Sequence, residues 1–87
     1  MKINDGYQLK SMGGHSVVTS GEQGGNILFA LNETGAFLWN GIQEGLSKEE
    51  LKKKLCLEYE ADPEEEELIA NDVEEFLLQL KTMGALD

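Results

Sequence analysis

Three features of this 87-residue sequence have side chains that could take part in chemistry: one histidine, one cysteine and a run of acids. His15 has no second histidine and no nearby cysteine, so it completes neither a zinc site nor a nucleophilic triad. Cys56 lies in an apolar helical stretch with no evident base, where a free cysteine usually packs as a small hydrophobe. The run Glu64–Glu67 lacks the loop and spacing of a calcium motif and is typical of a solvated helix start. The sequence therefore predicts a protein that is not an enzyme and has no metal site or cofactor.

The glycine pairs Gly13-Gly14 and Gly24-Gly25 do not precede a helix in phosphate-loop spacing, so they predict turns instead. Gly13-Gly14 supplies the positive φ angles of a tight hairpin turn, and residues 21–25 form a longer connection.

The net charge of −10 and the absence of arginine limit the possible partners. Residues 1–47 carry two lysines and four acids, whereas residues 48–87 carry five lysines and thirteen acids. This balance argues against nucleic acid, since phosphate binding needs clustered basic side chains. No apolar stretch approaches the roughly 20 residues of a membrane-spanning helix, and no signal peptide is evident. With a single cysteine, we expect a cytoplasmic protein that makes no membrane contact.

The chain is expected to form one domain over residues 1–87, with residues 1–5 frayed. Three short stretches predict strands: the alternating residues 7–12, His15 to Ser20 around Val17-Val18, and the apolar run Ile27 to Leu31. Three capped segments then predict helices: from Asn32 to near Gly45, from Ser47 to near Glu60, and from Asp62 to Gly84. Strands followed by helices indicate an α+β fold with a three-stranded antiparallel sheet.

The last helix carries an apolar stripe at helical spacing, which predicts its buried face. The stripe comprises Leu68, Ile69, Val73, Phe76, Leu77 and Leu80. Trp39 is expected to lie in the core between sheet and helices.

The third strand is unusual because both of its faces are apolar. Simple alternation points Ile27, Phe29 and Leu31 to one side. Leu28 and Ala30 then point to the other side. In a meander it is also the last strand, so one edge lacks a partner. Either a helix covers the second face, or another chain supplies a strand there by β-augmentation.

Two stretches carry a resemblance to a known family. The first is Leu31-Asn32-Glu33-Thr34-Gly35-Ala36 with Trp39, followed by Glu44-Gly45 before a capped helix. The second is Asp72-Val73-Glu74-Glu75-Phe76-Leu77 with Leu80 and Gly84. Together they resemble the PqqD family over about Tyr7 to Leu86, with Ala85 and Gly41 as departures from its pattern.

The resemblance implies a winged-helix-like fold and a role as peptide chaperone for ribosomally made, enzymatically modified peptides. It implies that the leader of a precursor peptide binds as an added strand and is presented to a modifying enzyme. In pyrroloquinoline quinone synthesis that enzyme is a radical S-adenosylmethionine enzyme. The implied peptide-binding residues are Ile27, Leu28, Phe29, Ala30, Leu31, Asp72, Val73, Glu75, Phe76 and Gln79. Asp72 and Glu75 would favour a Lys or Arg in the peptide.

Two other functions remain open at the level of sequence. The same strand edge could pair with its two-fold mate in a homodimerising adaptor. A winged-helix DNA binder is less well supported, because the last helix carries Asp72, Glu74 and Glu75 where such a protein needs basic side chains.

Overall fold

A computed structural model of the chain describes residues 1–21 and 26–87. Its elements are β1 (Gln8–Met12), β2 (His15–Ser20), β3 (Asn26–Leu31), α1 (Glu33–Gln43), α2 (Lys48–Glu58) and α3 (Pro63–Thr82). The predicted α+β order of three strands and three helices is confirmed. The connection expected at residues 21–25, with its Gly24-Gly25 turn, lies largely outside the described residues.

The three strands form an antiparallel sheet in the order β1-β2-β3. Gly13 and Gly14 join β1 to β2 with φ angles of 58° and 85°, as a two-residue hairpin turn requires. Met12 faces His15 directly across this turn. Because β2 lies in the middle, β3 is an edge strand.

A β-bulge interrupts the pairing of β2 with β3, and it corrects the predicted alternation of side chains. Val18 pairs with Phe29, but the next residue, Thr19, pairs with Ile27, so Leu28 is the extra residue. Paired residues share a face of the sheet and adjacent residues do not. Phe29 therefore lies on the core face with Val18, whereas Ile27 lies on the opposite face and is 59% exposed. The prediction that Ile27 and Phe29 share a face is wrong, because a bulge shifts the period by one residue.

Side-chain caps set where each helix begins. Asn32 accepts a hydrogen bond from the Gly35 N–H at the start of α1. Ser47 and Glu50 form a reciprocal capping box at the start of α2. Asp62 caps α3, and Pro63 follows at its first position. These local interactions confirm the predicted helix starts.

One hydrophobic core joins the sheet to all three helices. Trp39 is completely buried in it, as predicted. The N-terminus also contributes: Ile3 is 8% exposed and forms an isolated bridge with Leu86. The Asn4 N–H donates to the Ala85 carbonyl at 2.8 Å. The expectation that residues 1–5 fray is therefore wrong, because they pair with the end of the chain.

The buried stripe of α3 is shorter than predicted. Val73, Leu77 and Leu80 are buried, and Ile69 and Phe76 pack against the core at its margin. Leu68 is 64% exposed, so its assignment to the buried face is wrong. A helix of 20 residues is about 30 Å long, and its first turns extend beyond so small a core.

Candidate functional site

The β3–α3 groove is an open depression of about 380 Å³ between the edge strand and the last helix. Its apolar lining comes from Phe29, Ala30, Leu31, Leu38 and Phe76. Its other lining residues are Asn32, Thr34, Gly35, Asp72 and Gln79. The groove thus combines apolar side chains with polar groups that could orient a ligand.

The hairpin register shows which backbone groups of β3 point at the open edge. In a two-residue hairpin the residues that flank the turn, Met12 and His15, exchange hydrogen bonds. Backbone groups alternate in direction along a strand, so those of Val17 also point at β1. Ala30, which faces Val17 across β2 and β3, is then in a non-hydrogen-bonded pair. Its N–H and C=O therefore point away from β2, at the edge where the described structure has no further strand.

The junction of β3 and α1 builds one end of the groove. Only Asn32 separates the last strand residue from the first helical residue, and its side chain bonds to the Gly35 N–H at 2.8 Å. A Cβ on Gly35 would lie 3.1 Å from Leu31 Cδ2, so a glycine lets the helix start close to the strand. Thr34 Oγ1 shares a hydrogen bond of 2.7 Å with the Tyr59 hydroxyl, which ties this end to α2.

The opposite wall is one face of α3, where Asp72, Phe76 and Gln79 recur at helical spacing. Ion pairs hold α3 against α2 on its other side. Glu74 Oε1 lies 3.0 Å from Lys48 Nζ and 3.3 Å from Lys52 Nζ. The hydrogen bonds from these two lysines lower the pKa of the Glu74 carboxyl. Glu74 thus pairs with lysines of α2, whereas Asp72 lines the groove.

The structure brings six of the ten predicted site residues together in the lining: Phe29, Ala30, Leu31, Asp72, Phe76 and Gln79. Ile27 and Leu28 are exposed further along the same strand, on and beside its outer face. Val73 is completely buried, so it supports the wall from behind and offers no surface to a ligand. Glu75 is exposed on α3 but does not line the groove.

Four lining residues were missed from the sequence: Asn32, Thr34, Gly35 and Leu38. Three of them belong to the junction of β3 and α1, and Leu38 follows one turn later in α1. The signal that could have found them is the cap at Asn32. It places the first turn of a helix directly beside the strand edge.

Of the side chains considered for chemistry, Cys56 and Glu66 line one surface depression, and His15 is not part of it. His15 and Glu64–Glu67 are exposed. Burial, and secondarily the Glu66 carboxylate, raises the pKa of the Cys56 thiol, which disfavours the nucleophilic thiolate. Within residues 1–21 and 26–87, no three His, Cys, Asp or Glu side chains are grouped to hold a metal ion. No helix in these ranges is long and apolar enough to cross a membrane.

The protein is thus a small α+β domain with a three-stranded sheet and three helices. At the edge of β3, beside the groove, the N–H and C=O of Ala30 can pair with a further strand. The chain belongs to the PqqD family: the family described as coenzyme PQQ synthesis protein D (PqqD) matches residues 17–86. Among solved structures, it is similar to TbiB1 in complex with the TbiA(beta) leader peptide. The identity is 26% over 100% of this chain and 95% of that chain, with a TM-score of 0.80. Curated protein sequences include no match.

Proposed function

We propose that this protein is a non-catalytic chaperone that binds the leader of a ribosomally made precursor peptide. The leader adds as an antiparallel strand to β3, where main-chain hydrogen bonds supply affinity and the β3–α3 groove selects side chains. The observation that carries the proposal is the open N–H and C=O of Ala30 beside that groove. Family membership and the leader-peptide complex of the similar TbiB1 support it.

The proposed partner beyond the leader is a peptide-modifying enzyme, a radical S-adenosylmethionine enzyme by analogy with pyrroloquinoline quinone synthesis. In this scheme the enzyme performs the chemistry and the present chain supplies recognition alone. The single cysteine suits a reducing compartment, so the cytoplasm is the proposed location.

A homodimerising adaptor is the second candidate, because the same open edge could pair with its two-fold mate. DNA binding has less support. The exposed face of α3 presents Asp72, Glu74 and Glu75, and these carboxylates would repel phosphates.

The test is an amide-shift titration by NMR with a candidate precursor peptide, taken from a short open reading frame near the gene for this protein. Shifts should concentrate in Asn26–Leu31 and Asp72–Leu80. Shifts confined to α1 and α2, with those two segments silent, would contradict strand addition even if the peptide binds. Sedimentation with and without peptide separates the candidates, since the adaptor predicts a dimer that forms without any peptide.

A backbone substitution tests the edge itself. Ala30→Pro removes the donor that an incoming strand needs, at a position where β2 does not need it. We expect peptide affinity to fall about tenfold while the fold persists. Ala30→Thr keeps the N–H and is the matched control, with affinity expected within about twofold of the parent. Equal affinity of all three proteins would show that Ala30 does not pair with the peptide.

A further inference from the structure

We infer that the groove selects a peptide in which a lysine or arginine lies two residues from an apolar side chain, and that Asp72 reads the basic residue. This inference rests on the proposed function and names the substrate class of the same site.

The register of β3 defines the inward positions of an added strand. A residue opposite Ala30 would project on the outer face of the sheet, because paired residues share a face. Its two neighbours, opposite Phe29 and Leu31, would project inward, since Phe29 and Leu31 pack against the core. The groove therefore receives two side chains, at positions i and i+2 of the peptide.

The wall of α3 offers two different surfaces at a matching distance. Asp72 and Phe76 are four residues apart, about 6 Å along a helix axis. Alternate residues of a strand are about 6.7 Å apart. Because Asp72 and Phe76 line the same groove as Phe29 and Leu31, one inward side chain can meet the Asp72 carboxylate while the other packs on Phe76.

Asp72 is available for this role. Of the described residues that line the groove, it is the one that carries a charge. Within residues 1–21 and 26–87 it makes no ion pair, whereas the nearby Glu74 is held by Lys48 and Lys52. A peptide strand laid over the groove would partly exclude water from Asp72. Its charge would then favour a cation and disfavour an acid at that position.

The test begins with selection of a phage-displayed library of random 12-residue peptides on the immobilised protein. Peptides enriched on the parent should share Lys or Arg two residues from an apolar residue. Asp72→Asn should abolish the basic preference and retain the apolar one, and Asp72→Lys should replace it with Asp or Glu. Glu75→Gln is the matched control: it removes the same charge from the exposed part of α3, so the basic preference should persist.

Binding measurements then test the interaction between Asp72 and the basic residue of the peptide. For one selected peptide and its Lys→Gln or Arg→Gln form, fluorescence anisotropy should show an affinity loss of about three- to tenfold. The same loss of affinity should appear when only the peptide is changed and when only Asp72→Asn is made. Changing both should weaken binding little more than either change alone. The preference should also shrink with added salt.

Two kinds of failure are distinguishable. A basic preference that persists in Asp72→Asn, or that disappears equally in Glu75→Gln, would overturn the role of Asp72 and indicate general attraction to an acidic protein. Selected peptides that bind Ala30→Pro as tightly as the parent would overturn strand addition, and with it the proposed function. Loss of binding to Ala30→Pro together with loss of the basic preference in Asp72→Asn supports both.

Discussion

At the scale of the residue, Trp39 is the largest of the fully buried side chains in the described part of the chain. Its side chain is completely buried, and its neighbours in the same cluster come from the sheet and from all three helices. The indole Nε1–H has no hydrogen-bond partner within the described residues. Trp39 therefore stabilises the fold by packing, and its polar atom carries a desolvation cost.

Removing this side chain should leave a large cavity. We expect Trp39→Ala to lower the free energy of unfolding by about 3–5 kcal/mol, measured by urea denaturation followed by circular dichroism. Domains of this size have a stability of roughly 5–10 kcal/mol, so this loss should be a large fraction of the total. Trp39→Phe, which also removes the unpaired N–H, should lose clearly less. An unchanged midpoint for Trp39→Ala would mean that the residue is not in the core.

At the scale of the element, the close approach of α1 and α2 depends on Gly41. A Cβ at this position would lie 2.5 Å from Leu51 Cδ2 and 3.3 Å from Leu46 Cδ1. Glycine inside a helix costs about 1 kcal/mol relative to alanine. Glycine at this position leaves room for the Leu51 side chain between the two helices. The sequence pattern had marked Gly41 only as a departure from the family.

Gly41→Ala should therefore have two opposing effects: it raises the helix propensity of α1, and it crowds the side chain of Leu51. Leu51 is completely buried, so its side chain has little room to rotate away. We expect the overpacking to outweigh the gain in propensity and to lower the free energy of unfolding by about 1–2 kcal/mol. Asn40→Ala, at the adjacent exposed position of α1, should be neutral or slightly stabilising. A Gly41→Ala protein more stable than the parent would show that α1 and α2 separate readily.

Also at this scale, local chemistry explains which elements could be predicted from sequence. Asn32, Ser47 and Asp62 cap helices through side chains within three residues, so the starts of α1, α2 and α3 follow from short stretches. The bulge at Leu28 depends on how β3 meets β2, and no short stretch encodes it. Alternation alone therefore placed Ile27 on the wrong face of the sheet.

At the scale of the whole molecule, long-range pairing decides what sequence patterns miss. Ile3 pairs with Leu86 across almost the full chain, so residues 1–5 had no local signal of order. The β3 side of the candidate site was predicted from its apolar pattern and open edge, whereas the α3 side came only from the resemblance to the PqqD family. The end of the site at Asn32, Thr34 and Gly35 was missed, since those side chains join the groove only when strand and helix are placed together.

Acid has two opposite effects on the stability of this acidic protein. Protonating most carboxylates should stabilise the fold, whereas protonating Glu74 should destabilise it. At a net charge of −10, protonating unpaired carboxylates relieves repulsion and favours the folded state. The Glu74 carboxyl has a folded pKa below its usual 4.5, because Lys48 and Lys52 donate hydrogen bonds to it. A group whose folded pKa is depressed stabilises the fold above its unfolded pKa. That contribution is lost as the pH falls through the folded value.

Comparing Glu74→Gln with the parent should isolate the contribution of ionised Glu74 to stability. At pH 7 the thermal midpoint of Glu74→Gln should lie below that of the parent, because the variant cannot pair as an anion with Lys48 or Lys52. As the pH falls below 4.5, the parent loses the same interaction and the two midpoints should converge. Glu75→Gln controls for the loss of one negative charge on α3. A gap between Glu74→Gln and the parent that stays constant from pH 7 to strong acid would show that ionisation of Glu74 does not couple α2 to α3.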